Sequence, residues 1–300
     1  MYSSRGIVGP VRFKRSVPAS AAAVILIGFS LLLGACGSVP PGTAGSPPAS
    51  STGTTSESPG GSPSAPASSE APDSPSPTPT PPASSEPPEK PAVDCKKLKC
   101  FALTYDDGPS PETTPELIKL LKKYKAKATF FQLGNLAAEY PELVKEIHEI
   151  GSEVANHSWD HDSLDRKSVD GAYQDMKKAS DAIEKGCGCK VTLMRPPYGA
   201  TDKGVDKATK KLGLAQILWD VDTLDWDTHD PYDIKSKVLH GAAKNRIVLM
   251  HDIHQTTINA QEDIIKGLQD KGYTLVTVSE MLGETTPGKR YPKSWANYGN

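Results

Sequence analysis

The chain has 300 residues, with 34 Lys or Arg against 36 Asp or Glu, so its formal net charge is -2. A charge this close to zero gives no overall basic field, which argues against a nucleic-acid partner. Residues 37–92 contain no aromatic residue, so a packed core has to come from the later part of the chain.

The amino-terminal residues 1–36 are predicted to be a secretory signal peptide. Basic residues precede an apolar run from about Ala21 to Leu33, and small residues lead up to Cys36. This run is shorter than the roughly 20 residues that span a bilayer, which disfavours a retained transmembrane helix. Small residues directly before a cysteine resemble a bacterial lipobox, with an ordinary signal peptide as the alternative. We therefore expect lipidation of Cys36 and an exported protein on the outer face of the cytoplasmic membrane.

Residues 37–92 are predicted to be a disordered tether. The stretch is almost wholly Pro, Ser, Thr, Gly and Ala with a few Glu, so it has too little apolar surface to offset the entropy lost on ordering. In an extended polyproline form of about 3.1 Å per residue it would reach at most roughly 170 Å. We expect the folded part to act in the cell wall while it stays attached to the membrane.

Residues 93–284 are predicted to form one α/β domain, with a C-terminal tail at 285–300. Seven strands in βα order favour a parallel sheet in an irregular (β/α)7-type barrel, closed or nearly closed, with a doubly wound open sheet as the alternative. The predicted strands are 101–105, 128–133, 153–156, 191–194, 215–221, 247–250 and 273–278. The predicted helices are 114–124, 141–150, 168–185, 202–212, 230–240 and 259–270. The tail is expected to pack across the barrel bottom, with glycan contact as the alternative.

The domain contains Cys95, Cys100, Cys187 and Cys189, an even number once Cys36 is set aside. An exported protein meets an oxidising environment, so two disulfides are expected. Cys95 with Cys100 is the simplest pairing, but four cysteines allow three connectivities and cross-pairing stays open. A zinc site from these four is disfavoured by their spacing.

Polar motifs follow five of the predicted strands. Function gathers at the carboxyl ends of parallel strands in both barrels and doubly wound sheets. In chain order, the residues at these ends are Asp106 and Asp107, His157 and His161, Arg195, Asp222 and Asp225, and His251.

His157 and His161 are predicted to bind a metal ion. On one helical turn, a spacing of four places both imidazoles on the same side. Asp107 would complete a set of two histidines and one carboxylate with open positions, as in a catalytic metal site. The same set also suits a non-haem iron oxygenase, which is kept as a rival. Asp106 is free to take a proton, and Arg195 would keep it ionised.

In their order along the chain, these motifs resemble those of the NodB-like polysaccharide deacetylases, carbohydrate esterase family 4. They read Asp-Asp, His-Ser-x-x-His, Arg-Pro-Pro-Tyr-Gly, Asp-x-x-Asp-Trp and Leu-x-His-Asp, within residues 99–282. The resemblance implies a metal-dependent hydrolase in which Asp107, His157 and His161 bind a divalent metal. Zinc is the expected metal, with cobalt as the alternative.

The resemblance also implies which residues move protons. Asp106 would be the general base for the attacking water, supported by Arg195. His251 would protonate the leaving amine, oriented by Asp225. A base and an acid placed in this way serve the two successive proton transfers of hydrolysis.

The remaining implied roles concern the substrate. The backbone N–H of Tyr198 would bind the oxyanion, and Trp226 and Leu249 would wall the pocket for the acetyl methyl group. Since the tether favours a polymer near the membrane, the predicted substrate is the N-acetylhexosamine of peptidoglycan. Chitooligosaccharide deacetylase and acetylxylan esterase are the alternative enzymes, and a wall-binding lipoprotein is the non-enzymatic one. The protein is expected to be a monomer.

Overall fold

The computed structural model describes residues 93–295. The predicted signal peptide, the lipidation site at Cys36 and the tether at 37–92 lie outside these residues. None of the helices within 93–295 combines the length and the apolar character that a membrane crossing requires. The predicted fold class, an α/β domain with parallel strands in βα order, is confirmed.

Every strand pairing in this region is parallel, and one sheet contains nine strands rather than the predicted seven. The strands are β1 Cys100–Asp106, β2 Ala128–Gln132, β3 Glu153–Asn156, β4 Leu193–Met194, β5 Ala215–Ile217, β6 Val221–Asp222, β7 Arg246–His251, β8 Thr274–Leu275 and β9 Arg290–Tyr291. Their order is β6-β7-β1-β2-β3-β4-β5-β9, and β8 pairs with the start of β1.

Helices connect most of these strands and cover the outer face of the sheet. They are α1 Thr114–Tyr124, α2 Gly134–Glu139, α3 Pro141–Glu149, α4 Val169–Cys187, α5 Lys203–Leu212, α6 Asp225–Thr228, α7 Pro231–Gly241, α8 Gln255–Asp270 and α9 Val278–Leu282. The six predicted helices are all present, whereas α2, α6 and α9 were not predicted.

Three predicted strands differ from the structure. The segment 191–194 is a strand only over Leu193–Met194. The segment 273–278 is a strand only over Thr274–Leu275, because Thr277 and Glu280 form a capping box that starts α9. The segment 215–221 breaks after Ile217: β5 pairs with β4, whereas β6 pairs with β7. The two halves of this segment therefore lie on opposite sides of a seam in the barrel.

The sheet separates two apolar layers, and this separation directs the site residues inward. Phe101, Leu103 and Tyr105 of β1 pack with the helices in the larger layer, while Ala102 packs in the smaller inner layer. Because side chains alternate along a strand, Asp106 lies on the inner face with Ala102. The first strand thus delivers a carboxylate to the inner mouth of the barrel.

Two disulfides close short loops, Cys95 with Cys100 and Cys187 with Cys189. The simplest of the pairings left open by the sequence is therefore the one present. Within the described part of the tail, residues 285–295, Arg290 and Tyr291 extend the sheet as β9 beside β5. Packing of the tail across the barrel bottom stays a prediction.

Candidate active site

A cavity of about 480 Å³ lies at the carboxyl ends of the strands. All predicted site residues of the folded domain line it except Arg195 and Asp225, which are completely buried behind it. The site residues come from the carboxyl ends of five strands and from the loops that follow them, as their positions in the chain predicted.

Asp107, His157 and His161 converge on one point. Oδ1 of Asp107 lies 3.4 Å from Nε2 of His157 and 3.4 Å from Nε2 of His161. Ligand atoms about 2.0–2.1 Å from a tetrahedral ion are roughly 3.3–3.4 Å apart. The same Oδ1 is buried without a hydrogen-bond partner, which a metal ion would supply. The three side chains therefore fit a divalent cation.

The two histidines lie on a loop after β3 and not on a helical turn, so the predicted geometry was wrong. Ser158 and His161 adopt left-handed backbone conformations, with φ of 70° and 66°. Asn156 and Ser158 hold this loop, because the Asn156 side chain accepts from Ser158 N–H and the Ser158 hydroxyl accepts from His161 N–H. The loop brings the imidazoles together, with ring centroids 5.0 Å apart.

The orientation of His157 suits metal binding. Its Nδ1 lies 2.7 Å from the backbone oxygen of Arg195, so Nδ1–H donates there and Nε2 keeps its lone pair. Burial lowers the pKa of His157 to about 3. The imidazole is consequently neutral near pH 7, as a metal ligand has to be.

Asp106 and Arg195 form a buried ion pair beside this set. Nη1 of Arg195 donates to Oδ1 of Asp106 at 2.7 Å and to the hydroxyl of Thr104 at 2.9 Å. The other carboxylate oxygen of Asp106 lies 3.7 Å from Nε2 of His157. Burial raises the pKa of Asp106, and the charge of Arg195 opposes that rise. Arg195 therefore offsets part of the cost of ionising Asp106 in a buried site.

His251 and Asp225 form a second pair across the cavity. Nδ1–H and the backbone N–H of His251 donate to the two carboxylate oxygens of Asp225, each at 2.8 Å. The hydroxyl of Thr257 also donates to Asp225, at 2.7 Å. Burial lowers the pKa of His251, but the hydrogen bond and charge of Asp225 outweigh it and raise this pKa to about 9. The imidazole is thus protonated near neutral pH, with Nε2 3.9 Å from Asp107.

The Arg-Pro-Pro-Tyr-Gly segment forms one wall of the cavity. Tyr198 and Gly199 both have left-handed backbone conformations, with φ of 61° and 64°. The Tyr198 ring is 72% exposed and packs edge-on against His161, with centroids 4.5 Å apart. Trp226, which is 53% exposed, and Leu249 line the same cavity.

Sequence reasoning gave no role to several residues that shape the site. Trp219 and Asp222 line the cavity, and Asp252 is buried next to Gly108. A Cβ at Gly108 would lie 2.5 Å from Oδ1 of Asp252, so only glycine fits there. Asp252 belongs to the Leu-x-His-Asp motif and Gly108 directly follows the Asp-Asp motif, which was a usable signal. Thr257, which holds Asp225, lies in α8 outside every motif.

Comparisons with known proteins agree with this geometry. A family model described as polysaccharide deacetylase matches residues 94–217. The peptidoglycan-N-acetylmuramic acid deacetylase PdaC of Bacillus subtilis is 44% identical over 183 residues, 61% of this chain and 38% of that protein. A peptidoglycan-N-acetylglucosamine deacetylase of Bacillus cereus is 35% identical over 189 residues, 61% of this chain and 88% of that protein.

A solved structure of a carbohydrate esterase has a similar fold. The family 4 carbohydrate esterase from Streptomyces lividans in complex with acetate matches with a TM-score of 0.59 and 32% identity, over 63% of this chain and 98% of that one. The present chain spans less than half the length of the muramic acid deacetylase.

Proposed function

The chain belongs to the polysaccharide deacetylases of carbohydrate esterase family 4, and from this membership we propose that it hydrolyses acetamido groups of an N-acetylated cell-wall polysaccharide. The observation that carries the proposal is the convergence of Asp107, His157 and His161 on one point, where Oδ1 of Asp107 has no hydrogen-bond partner. A second carboxylate, which is not part of this set, lies beside them. That free carboxylate, Asp106, is held by Arg195. Metal-dependent hydrolysis uses a bound cation beside a separate base, and the geometry supports this arrangement.

Asp107, His157 and His161 would hold the metal, which we propose to be zinc. When bound, a divalent cation there would acidify water and polarise the carbonyl oxygen of the acetyl group. Two imidazoles and one carboxylate are ligands that zinc prefers, with cobalt as a substitute.

Two side chains transfer the protons, and one backbone N–H stabilises the developing charge. Asp106 takes a proton from the attacking water as the C–O bond forms. The backbone N–H of Tyr198 donates to the oxygen that gains negative charge in the tetrahedral state. His251, held protonated by Asp225, gives its proton to the amide nitrogen as the C–N bond breaks. The products are acetate and a free amine on the sugar.

Peptidoglycan is the substrate that we favour. A second cavity of about 570 Å³ shares His161 and Tyr198 with the first, which leaves room for a neighbouring sugar of a polymer. Two relatives of this chain are deacetylases of peptidoglycan, one of N-acetylmuramic acid and one of N-acetylglucosamine. We further propose attachment to the membrane through a lipidated Cys36, action outside the cell, and a monomer.

Acetate release from a substrate panel tests the function. We expect release from peptidoglycan and from N-acetylglucosamine oligomers, slower release from O-acetylxylan, loss with a chelator, and recovery with Zn²⁺. Release without oxygen would exclude the oxygenase alternative. Binding of peptidoglycan with no metal-dependent acetate release would refute the proposal in favour of a wall-binding protein.

The pH dependence tests the acid. The rate should rise with pH as Asp106 ionises and fall as His251 deprotonates, with the alkaline midpoint at about 9. In Asp225→Asn we expect this midpoint to move down toward the unperturbed imidazole pKa of about 6.5 or below it, because burial remains while the carboxylate that opposed it is gone. The profile of kcat/KM against pH measures both limbs. An unmoved alkaline limb in the variant would remove His251 as the acid.

A further inference from the structure

The C-terminal segment 286–295 runs beside β5 toward the active site. In the register of β9 with β5, Gln216 pairs with Arg290 and Ile217 with Tyr291. One residue further on, Leu218 N–H donates to the backbone oxygen of Tyr291 at 2.7 Å. The segment therefore continues past the end of β5, at the edge where Leu218 leads into the cavity.

An ion pair made by a buried arginine fixes this segment to the domain. Arg290 is 5% exposed, and its guanidinium donates to both carboxylate oxygens of Asp206 on α5, at 2.9 and 2.8 Å. Asp206 also accepts from the side-chain amide of Gln216 at 2.8 Å. A two-point arginine–carboxylate pair sets orientation as well as distance, so the position of the segment relative to β5 is well defined.

Beyond this anchor, Trp295 contacts Trp219. The indole N–H of Trp295 donates to the backbone oxygen of Trp219 at 2.8 Å. The two rings lie 5.5 Å apart with an interplanar angle of 50°. Aromatic pairs at such separations attract each other beyond the area that they bury. Trp219 is thus held both at its backbone and at its ring.

Trp219 in turn contacts the oxyanion side of the cavity. Its ring packs on Gly199 so closely that a Cβ there would lie 2.9 Å from Cη2 of Trp219. Gly199 directly follows Tyr198, and both hold left-handed backbone conformations. The guanidinium of Arg195 also lies over the Trp219 ring, 5.7 Å from its centroid.

We infer that Trp295 is a positioning residue of the active site, which acts through Trp219 to hold the Tyr198–Gly199 turn in place. The inference rests on the proposed function, because the turn carries the N–H assigned to the oxyanion. Trp219 borders an open cavity. Without Trp295 behind it, the Trp219 ring could rotate and the turn would lose the surface on which it packs. An N–H that stabilises developing charge affects turnover more than substrate binding.

Substitutions at Trp295 in the full chain test this role. Loss of one oxyanion donor lowers kcat by about 10²–10³-fold, so a loosened donor should cost less. For Trp295→Ala we expect kcat about 10-fold lower with KM changed by less than about 2-fold. Trp295→Phe keeps a ring but loses the N–H and should lie between this variant and the wild type. The alkaline limb of the pH profile should not move, because the role assigned to Trp295 acts through Trp219 and not through the His251–Asp225 pair.

Circular dichroism supplies a readout that does not depend on activity. The paired indoles should give an exciton couplet that disappears in Trp295→Phe and persists in Lys293→Ala, an exposed neighbour and the matched control. Wild-type kcat in both Trp295 variants, or a loss of kcat that only follows the unfolded fraction, would overturn the inference. A wild-type protein without acetate release would refute the proposed function, whereas active but unaffected variants would refute only the role of Trp295.

Discussion

Asp106→Asn should lower kcat by about 10²–10⁴-fold, the usual contribution of a general base. The amide has nearly the same shape as the carboxylate but cannot accept the proton of the attacking water. Asp106 is not one of the three side chains that converge on the proposed metal position, so zinc should still bind. Acetate release measures the loss, and elemental analysis of the purified variant measures the zinc content.

Asp181→Asn is the matched control for this variant. Asp181 lies on α4 in an exposed ion pair with Lys177, and exposed pairs contribute about 0–1 kcal/mol. Its activity and zinc content should equal those of the wild type. Full activity of Asp106→Asn would remove the base assignment, and loss of zinc in Asp106→Asn would make Asp106 a ligand.

Arg195→Met should destabilise the fold by about 3–5 kcal/mol, the typical cost of breaking a buried ion pair from one side. Arg195 has no exposed surface, and the substitution leaves Asp106 in a buried site without its positive partner. The pKa of Asp106, already raised by burial, should then rise further. Because a raised pKa in the folded state costs stability once the pH exceeds the unfolded value, the deficit should be larger at pH 8 than at pH 5. Urea denaturation at the two pH values measures it.

The double variant Arg195→Met with Asp106→Asn separates the charge from the lost packing. If the uncompensated carboxylate dominates, the double variant should be more stable than Arg195→Met alone and should lose most of the pH dependence. Strictly additive effects of the two substitutions would contradict a direct coupling between Arg195 and Asp106.

The sequence predicted which residues come together at the cavity, because parallel strands bring their carboxyl ends to one edge. Asp107, His157 and His251 are far apart along the chain, yet each follows a strand with an apolar pattern that could be read directly. The direction of β1 then brings Asp106 and Asp107 to the edge where β7 delivers His251. The apolar strand patterns and the parallel order of the sheet agree, so the grouping of these residues was predictable.

The parts that sequence reasoning missed depend on contacts between distant segments. β9 has two residues, and its partner β5 lies more than seventy positions earlier, so no periodicity reports it. The histidine loop was expected to be a helical turn because spacing alone cannot show that Ser158 has a positive φ. Similarly, α2 is only six residues long and lies against α4, where a Cβ on Gly134 would come 2.5 Å from Cα of Ala179.

The break between β5 and β6 creates the socket for Arg195. Where the strand stops, the guanidinium supplies the hydrogen-bond donors that a neighbouring strand would otherwise supply. Nε donates to the carbonyl of Ile217 at 3.0 Å, and Nη2 donates to that of Leu218 at 3.3 Å. In a continuous, closed barrel such carbonyls would accept hydrogen bonds from a neighbouring strand. The packed interior of such a barrel would leave no space for a side chain of this size. The interruption of the strand therefore accommodates the charged guanidinium of Arg195 inside the protein, within hydrogen-bonding distance of the Asp106 carboxylate.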